Sequence, residues 1–410
     1  MSGGKADSPG NMGFMTPPSD DLDVPRRSAG QQRRPLGDPA TRWSQRADRA
    51  EAAIVSRHLR PVWLLPRTAL GVVGWPSIRR ERFFLTWHYW WQAHLIDCAV
   101  DAANRAPTIE RRKRVATLVR SHRLRNISGW TNRYYDDMAW LAIALERAAR
   151  IHDNKKAVGA LGPLEQKLYT AWNPAIGGGV PWRVGADFYN APANGPAGIA
   201  LARLGRYERA AEMAAWIDET LRDPETGLIL DGIHLPSGEL ERPIYSYCQG
   251  VVLGLETELA VHTSDSAHLD RVHRLLDAVE DHLTIEGVVR GGSGGDGGLF
   301  NGILIRYLAL VAVMLPGNEH EQLADRRTAA RIVKESAAAA WENRLDVEGE
   351  PLFGHDWTVS AQLPSGSGGA GGLTSNDAVS SSRVPERDLS VQLSGWMLME
   401  AAHMVTAAGL

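Results

Sequence analysis

The chain has 410 residues, 44% hydrophobic and 23% charged, the balance of a globular protein with apolar mass for one large core or two modest ones. Its 45 basic and 48 acidic residues leave a formal net charge of −3, so no overall field draws it to nucleic acid or to anionic lipid, and a neutral partner is expected. Two cysteines, Cys98 and Cys248, exclude a disulfide framework and sit in apolar helical patterns, which points to buried thiols in a reducing compartment.

In chain order, residues 1–40 are rich in Gly, Ser, Pro, Asp and Arg and read as a disordered tail without a signal-peptide core. With the cysteines, this predicts a cytoplasmic protein, export by a non-classical route remaining open. From Ser44 onward the apolar residues recur at helical spacing, and period-two alternation is almost absent, so the class is all-α. Helices are predicted over 44–58, 85–104, 108–120, 136–151, 163–172, 194–204, 207–222, 245–262, 267–284, 299–315, 320–342 and 389–407. Asp136 stands where an N-cap belongs, Pro163 suits a first turn, and Gly205 suits the position after a helix end.

Odd-numbered members of this series carry a broad charged face, as in RYERAAEMAAWIDETLR from Arg206 to Arg222, whereas even-numbered ones are apolar nearly all round. An inner ring inside an outer ring follows. Six outer–inner hairpins, each too thin to bury its own apolar face, predict an (α/α)6 barrel over residues 41–410, without a fixed sequence period and as a monomer. The most apolar run, Gly302 to Leu315, is interrupted by Arg306 and is too short to cross a bilayer, so no membrane span is expected.

The long connections precede the inner helices and hold most of the polar and aromatic residues. Phe84 to Gln92 (FLTWHYWWQ) places Trp87, His88, Trp90 and Trp91 together as core or as a sugar-stacking wall. Tyr134-Tyr135-Asp136-Asp137 enters an inner helix with Trp130 and Asn132 just before it; the aspartates cap the helix or form a carboxylate pair. Trp182, Arg183, Asn190 and Asn194 form a third group, and Tyr245, Tyr247 and Gln249 a fourth, each offering rings, amides and hydroxyls to a polyol. Gly291–Gly298 and Pro364–Gly372 read as mobile glycine-rich loops, neither matching a phosphate-cradling motif. The 13 histidines show no metal-ligand spacing and there is no GxSxG, so neither metal nor cofactor is expected.

A glycosidic bond is cleaved by two carboxyl groups, and their separation decides whether a covalent intermediate or a water fills the gap. Adjacent aspartates in a first helical turn can both reach a cleft beyond the helix end. Like-charge repulsion raises one pKa while the helix N-terminus keeps the other group ionised, giving one nucleophile and one acid.

YYDDMAW at Tyr134 to Trp140, WHYWWQAHLID at Trp87 to Asp97, GGGVPWR at Gly177 to Arg183, NAPANGPAGIALARL at Asn190 to Leu204, YSYCQGVVLG at Tyr245 to Gly254 and FNGILIRYLA at Phe300 to Ala309 resemble the motif blocks of glycoside hydrolase family 76, the endo-α-1,6-mannanases. The resemblance implies an (α/α)6 barrel, an α-mannan oligo- or polysaccharide substrate, and a retaining, metal-free mechanism with Asp136 as nucleophile and Asp137 as general acid/base. Cys248 departs from the asparagine common in the YxYNQG block. The family also includes cell-wall proteins to which glycan transfer is ascribed, so transglycosylation is a competing outcome at the same site. Two rival classes share the barrel or the cleft: an epimerase relying on His88 or His355, and a non-catalytic glycan-binding protein. A terpene-synthase DDxxD site is disfavoured because Trp140 holds its last position.

Overall fold

The computed structural model describes residues 37–151, 155–263, 265–365 and 378–410. Up to residue 36 the expected tail lies outside them, as does the glycine-rich loop from residue 366 onward. In chain order come α1 (Pro39–Arg57), a single turn α2 (Arg79–Arg82), α3 (Tyr89–Arg105), α4 (Ile109–Arg125), α5 (Tyr135–Arg150), α6 (Lys155–Thr170), α7 (Ala191–Arg203) and α8 (Tyr207–Leu221). They are followed by α9 (Ser246–Thr263), α10 (Ser266–Leu283), α11 (Phe300–Met314), α12 (His320–Asn343) and α13 (Leu389–Ala407).

Helices α3, α5, α7, α9, α11 and α13 form the inner ring, each packing on the next and α13 closing back on α3. The other long helices form the outer ring, and the fold is an (α/α)6 barrel. Each outer helix packs mainly on the inner helix that precedes it: α4 on α3, α6 on α5, α8 on α7, α10 on α9 and α12 on α11. The sequence had suggested the opposite pairing, outer with following inner. Short turns explain the difference, because they hold successive helices as antiparallel neighbours whereas the long outer-to-inner connections do not. The first helix, α1, then covers the last, α13, and seals the ring.

Two helix ends differ from the pattern expected. Helix α6 begins at Lys155, so Pro163 lies inside it. Pro163 is exposed, so the carbonyl its ring displaces can meet water. Helix α5 begins at Tyr135 with Tyr134 as its N-cap, leaving Asp136 in the first turn. Gly205 does follow the end of α7, at φ +79°.

Inner helices approach closely where glycine faces a neighbour. A Cβ on Gly250 would lie 2.8 Å from Leu304 Cα, so α9 and α11 could not keep this spacing with alanine there. Gly295–Met314 joins a 3-10 turn to α11 and is long and apolar enough to cross a membrane; in the barrel it is mostly buried as an inner-ring element. Arg306 on α11 meets Asp97 at 2.9 Å and Asp101 at 2.7 Å from α3, and Arg147 of α5 pairs with the same two carboxylates. Burial pushes the Asp97 carboxyl up, but Arg147 and Arg306 outweigh it and hold the group at about 2.

Through this quartet α11 is tied to α3 and α5, which it does not neighbour in the ring. Arg306→Met leaves two buried carboxylates with half their partners and should cost about 3–5 kcal/mol in urea unfolding. A loss below about 1 kcal/mol would show that the quartet does not hold the ring.

Candidate active site

The first turns of the inner helices meet at one mouth. Tyr135 N–H donates to Trp182 O at 2.9 Å, and Asn132 Oδ1 accepts from Tyr134 N–H at 2.9 Å. These bonds fix the entry of α5 with Tyr134, and neither aspartate, at its N-cap. The carboxylates of Asp136 and Asp137 are therefore held in the first turn, at the positive end of the helix dipole.

Asp136 is held at both oxygens: Oδ1 accepts the Asp137 N–H at 2.8 Å and Oδ2 accepts the Trp182 indole N–H at 3.0 Å. Asp137 accepts the Asn132 side-chain amide at Oδ2. Both keep some exposure at the mouth but are otherwise surrounded by protein, so burial raises both carboxyls. Hydrogen bonds from the Asp137 amide and Trp182 limit the rise at Asp136 to about 7. Asp137 is driven well above the usual range, because the charge of Asp136 adds to burial. One carboxylate and one carboxylic acid side by side is the state this favours near neutrality.

The sequence reading missed Asp296, whose charge also raises both members of the pair. Its Oδ1 accepts the indole N–H groups of Trp90 at 3.0 Å and Trp91 at 2.8 Å, and its Oδ2 accepts Val379 N–H at 2.6 Å. It sits in the stretch Gly291–Gly298, where a mobile loop was expected. Residues 295–299 instead form a 3-10 turn, with Gly295 N–H on Asp388 at 2.7 Å and Gly295 O accepting from Ser390 at 2.6 Å. A Cβ on Gly295 (φ +59°) would lie 2.1 Å from Val379 O. Glycine is there for close backbone approach, which composition does not distinguish from flexibility.

Several expected substrate contacts have structural duties. Asn194, fully buried, accepts from Val180 N–H at 2.8 Å and donates to Val180 O and Asn190 O at 2.9 Å each. Gln249 does the same with Ile229 N–H and O and Tyr245 O. Gln92 clamps Gly71 in the same way, and Gln392 clamps Phe353. Four inner helices are thus fastened by an amide that mimics a strand partner, and these amides have no donor to spare for a sugar. Asn190 caps α7 through Ala193 N–H at 3.1 Å and is buried, as is Trp91. Trp91 thus offers no open ring face, and the Oδ1 of Asn190 is taken by its cap.

The remaining candidates lie at the starts of inner helices or in the connections before them. The ring of Tyr134 lies edge-on to Trp182 at 5.2 Å, Arg183 reaches over Trp182 at 5.6 Å, and Tyr247 stacks on Phe300 at 3.9 Å with Tyr245 beside them. Tyr135 and Trp130 are partly buried, and Trp130 O accepts the Tyr89 hydroxyl. Trp90 stacks near Trp140, whereas Trp87 packs on Tyr89 and His122. His88 precedes α3 with its ring 4.5 Å from Trp91 and is held neutral by burial, its pKa lowered to about 4; His355 pairs with Glu386 at 3.3 Å. Asp231, also missed, is raised to about 7 by burial and then by Glu241, and its buried Oδ1 has no hydrogen-bond partner. Cys248 is fully buried and adds no group to the mouth surface. Among the described residues no group of three or more His, Cys, Asp or Glu is arranged to hold a metal ion.

No curated protein matches the chain. Among solved structures, the α-1,6-mannanase GH76A from Salegentibacter sp. HEL1_6 superposes with a TM-score of 0.74 at 26% identity, over 88% of this chain and 99% of that one. An inactive variant of the same enzyme, with two adjacent aspartates changed to asparagine, was solved with α-1,6-mannotriose and superposes equally well. Dfg5 from Chaetomium thermophilum, solved with glucosamine, shares the fold with a TM-score of 0.67 at 16% identity, over 89% of this chain and 90% of that one. The family model for glycosyl hydrolase family 76 matches residues 71–392, a span that holds all six motif blocks and most of the barrel, and the chain belongs to that family.

Proposed function

We propose that the protein is a retaining glycoside hydrolase that cleaves α-1,6-linked mannan through Asp136 and Asp137. The observation that carries this reading is the asymmetry of the pair: Asp136 is held at both oxygens by N–H donors, while Asp137 is driven to keep its proton. The Asp136 carboxylate attacks the anomeric carbon as the Asp137 proton passes to the departing glycosidic oxygen, leaving a mannosyl ester on Asp136. Asp137, now ionised, takes a proton from water, whose oxygen displaces Asp136 and regenerates both groups. Trp182 and Asn132 fix the two side chains, and Asp296 anchors the indoles of Trp90 and Trp91 beside them. The choice of mannan rests on the Salegentibacter relative, whose paired-asparagine variant is inactive and binds α-1,6-mannotriose.

Reducing-sugar release from linear α-1,6-mannan tests the reading. Asp137→Asn should lower kcat by a factor of about 10² to 10⁴, and Asp136→Asn by at least as much. Full activity in either variant would return that residue to a structural role.

The pH profile offers a separate check. Because Asp136 must be ionised, kcat/KM should rise as pH passes through about 7, then fall where Asp137 loses its proton. Asp296→Asn removes a charge that opposes ionisation, so the rising limb should move to lower pH. A limb that stays in place would contradict an electrostatic role for Asp296.

A further inference from the structure

The whole-chain charge conceals a local imbalance. Residues 59–85 contain five arginines and one acid, Glu81, which is buried against Arg387 at 2.6 Å. Residues 111–133 contain seven arginines and a lysine with no acid; of these, Arg111 and Arg114 are paired with Asp48 and Glu51 of α1. Arg67, Arg79, Arg80, Arg82 and Arg123 are exposed.

Large apolar side chains stand out of this basic surface. Leu64 is 79% exposed, Ile127 81% and Leu85 64%, with Trp63, Leu65 and Phe83 also exposed beside them. Apart from Ile127, they lie on segments that flank a small separate core of Val62, Leu70, Val72 and Phe84, against which Trp87 packs. Arg125 ties these segments together by donating to Phe84 O at 2.8 Å while lying 5.8 Å from the Trp63 ring and 4.8 Å from that of Trp87. Thr68 bonds Val62 N–H at 2.9 Å and Leu65 O at 2.6 Å, which fixes the loop. Trp63 and Leu64 have φ of 49° and 62°, a left-handed conformation that costs non-glycine residues energy.

We propose that this face docks on an anionic lipid bilayer, with Trp63, Leu64, Leu65, Phe83 and Leu85 entering the headgroup boundary and the surrounding arginines meeting lipid phosphates. Protruding indole and aliphatic groups ringed by cations are the composition of an interfacial anchor. Charge complementarity selects this occupant: a nucleic acid would gain nothing from exposed leucines, and a neutral apolar partner nothing from the arginines. Trp87 joins this small core to the start of α3, where Trp90 and Trp91 hold Asp296, so the docked face lies beside the barrel mouth. The inference is independent of the reaction assigned to the aspartates.

Co-sedimentation of the full chain with sucrose-loaded vesicles tests it. Wild type should pellet with mixed phosphatidylglycerol–phosphatidylcholine vesicles and lose that binding in high salt. Leu64→Asp with Leu85→Asp, and separately Arg79→Glu with Arg80→Glu, should each weaken binding at least about tenfold while the thermal melt stays unchanged. Failure of wild type to bind anionic vesicles, or undiminished binding by both variants, would overturn the proposal. So would a dimer in analytical ultracentrifugation that the leucine variant abolishes without any vesicle binding, which would give the face to a second copy of the chain.

Discussion

The convergence of inner helix N-termini at one mouth is the constraint on which the rest of the molecule depends. Each helix start brings N–H groups without intrahelical partners and the positive end of a dipole, and here they meet in a largely buried place. Side-chain acceptors answer it: Asn190 on the Ala193 amide of α7, Asp136 on the Asp137 amide of α5 and Asp388 on Gly295 just before α11. Buried amides on α3, α7, α9 and α13 meanwhile clamp segments that precede the helices. A mouth built this way collects acidic groups before any substrate is considered.

Those acidic groups are then in competition. Burial pushes every carboxyl at the mouth toward its neutral form, while N–H donors draw it toward the ion. Asp136 is held by two such donors and rises only to about 7, while Asp137 carries both burial and a charged neighbour and rises further. Deeper in the barrel the opposite balance holds, since Asp97 faces two guanidinium groups and is depressed. Under the proposed mechanism this contrast separates the chemistry from the scaffold: the same residue type is poised to exchange protons at the mouth and is a fixed ion in the interior.

Much of the architecture was legible because helical period and the alternation of charged with apolar helices are properties of local sequence. All of the predicted helices exist, and the Asp136–Asp137 pair enters an inner one as expected. The pairing of helices was misread from helix composition, whereas turn length decides it and the long connections before the inner helices already pointed to it. Asn194 and Gln249 were read as hydroxyl binders since an amide among aromatic residues looks the same whether it faces a sugar or clamps a backbone. Asp296 was hidden by its glycine neighbours, whose task is close packing. The basic apolar face was lost in a net charge that averages over the whole chain.

The central claim is that two adjacent carboxyls perform a double displacement. Proton NMR of the sugar released from α-1,6-mannan, recorded before mutarotation, tests it most directly. The account requires the α anomer to appear first, since two inversions at the anomeric carbon restore its configuration. A first-formed β anomer would mean that water attacks directly, and would contradict the assignment of Asp136 as nucleophile.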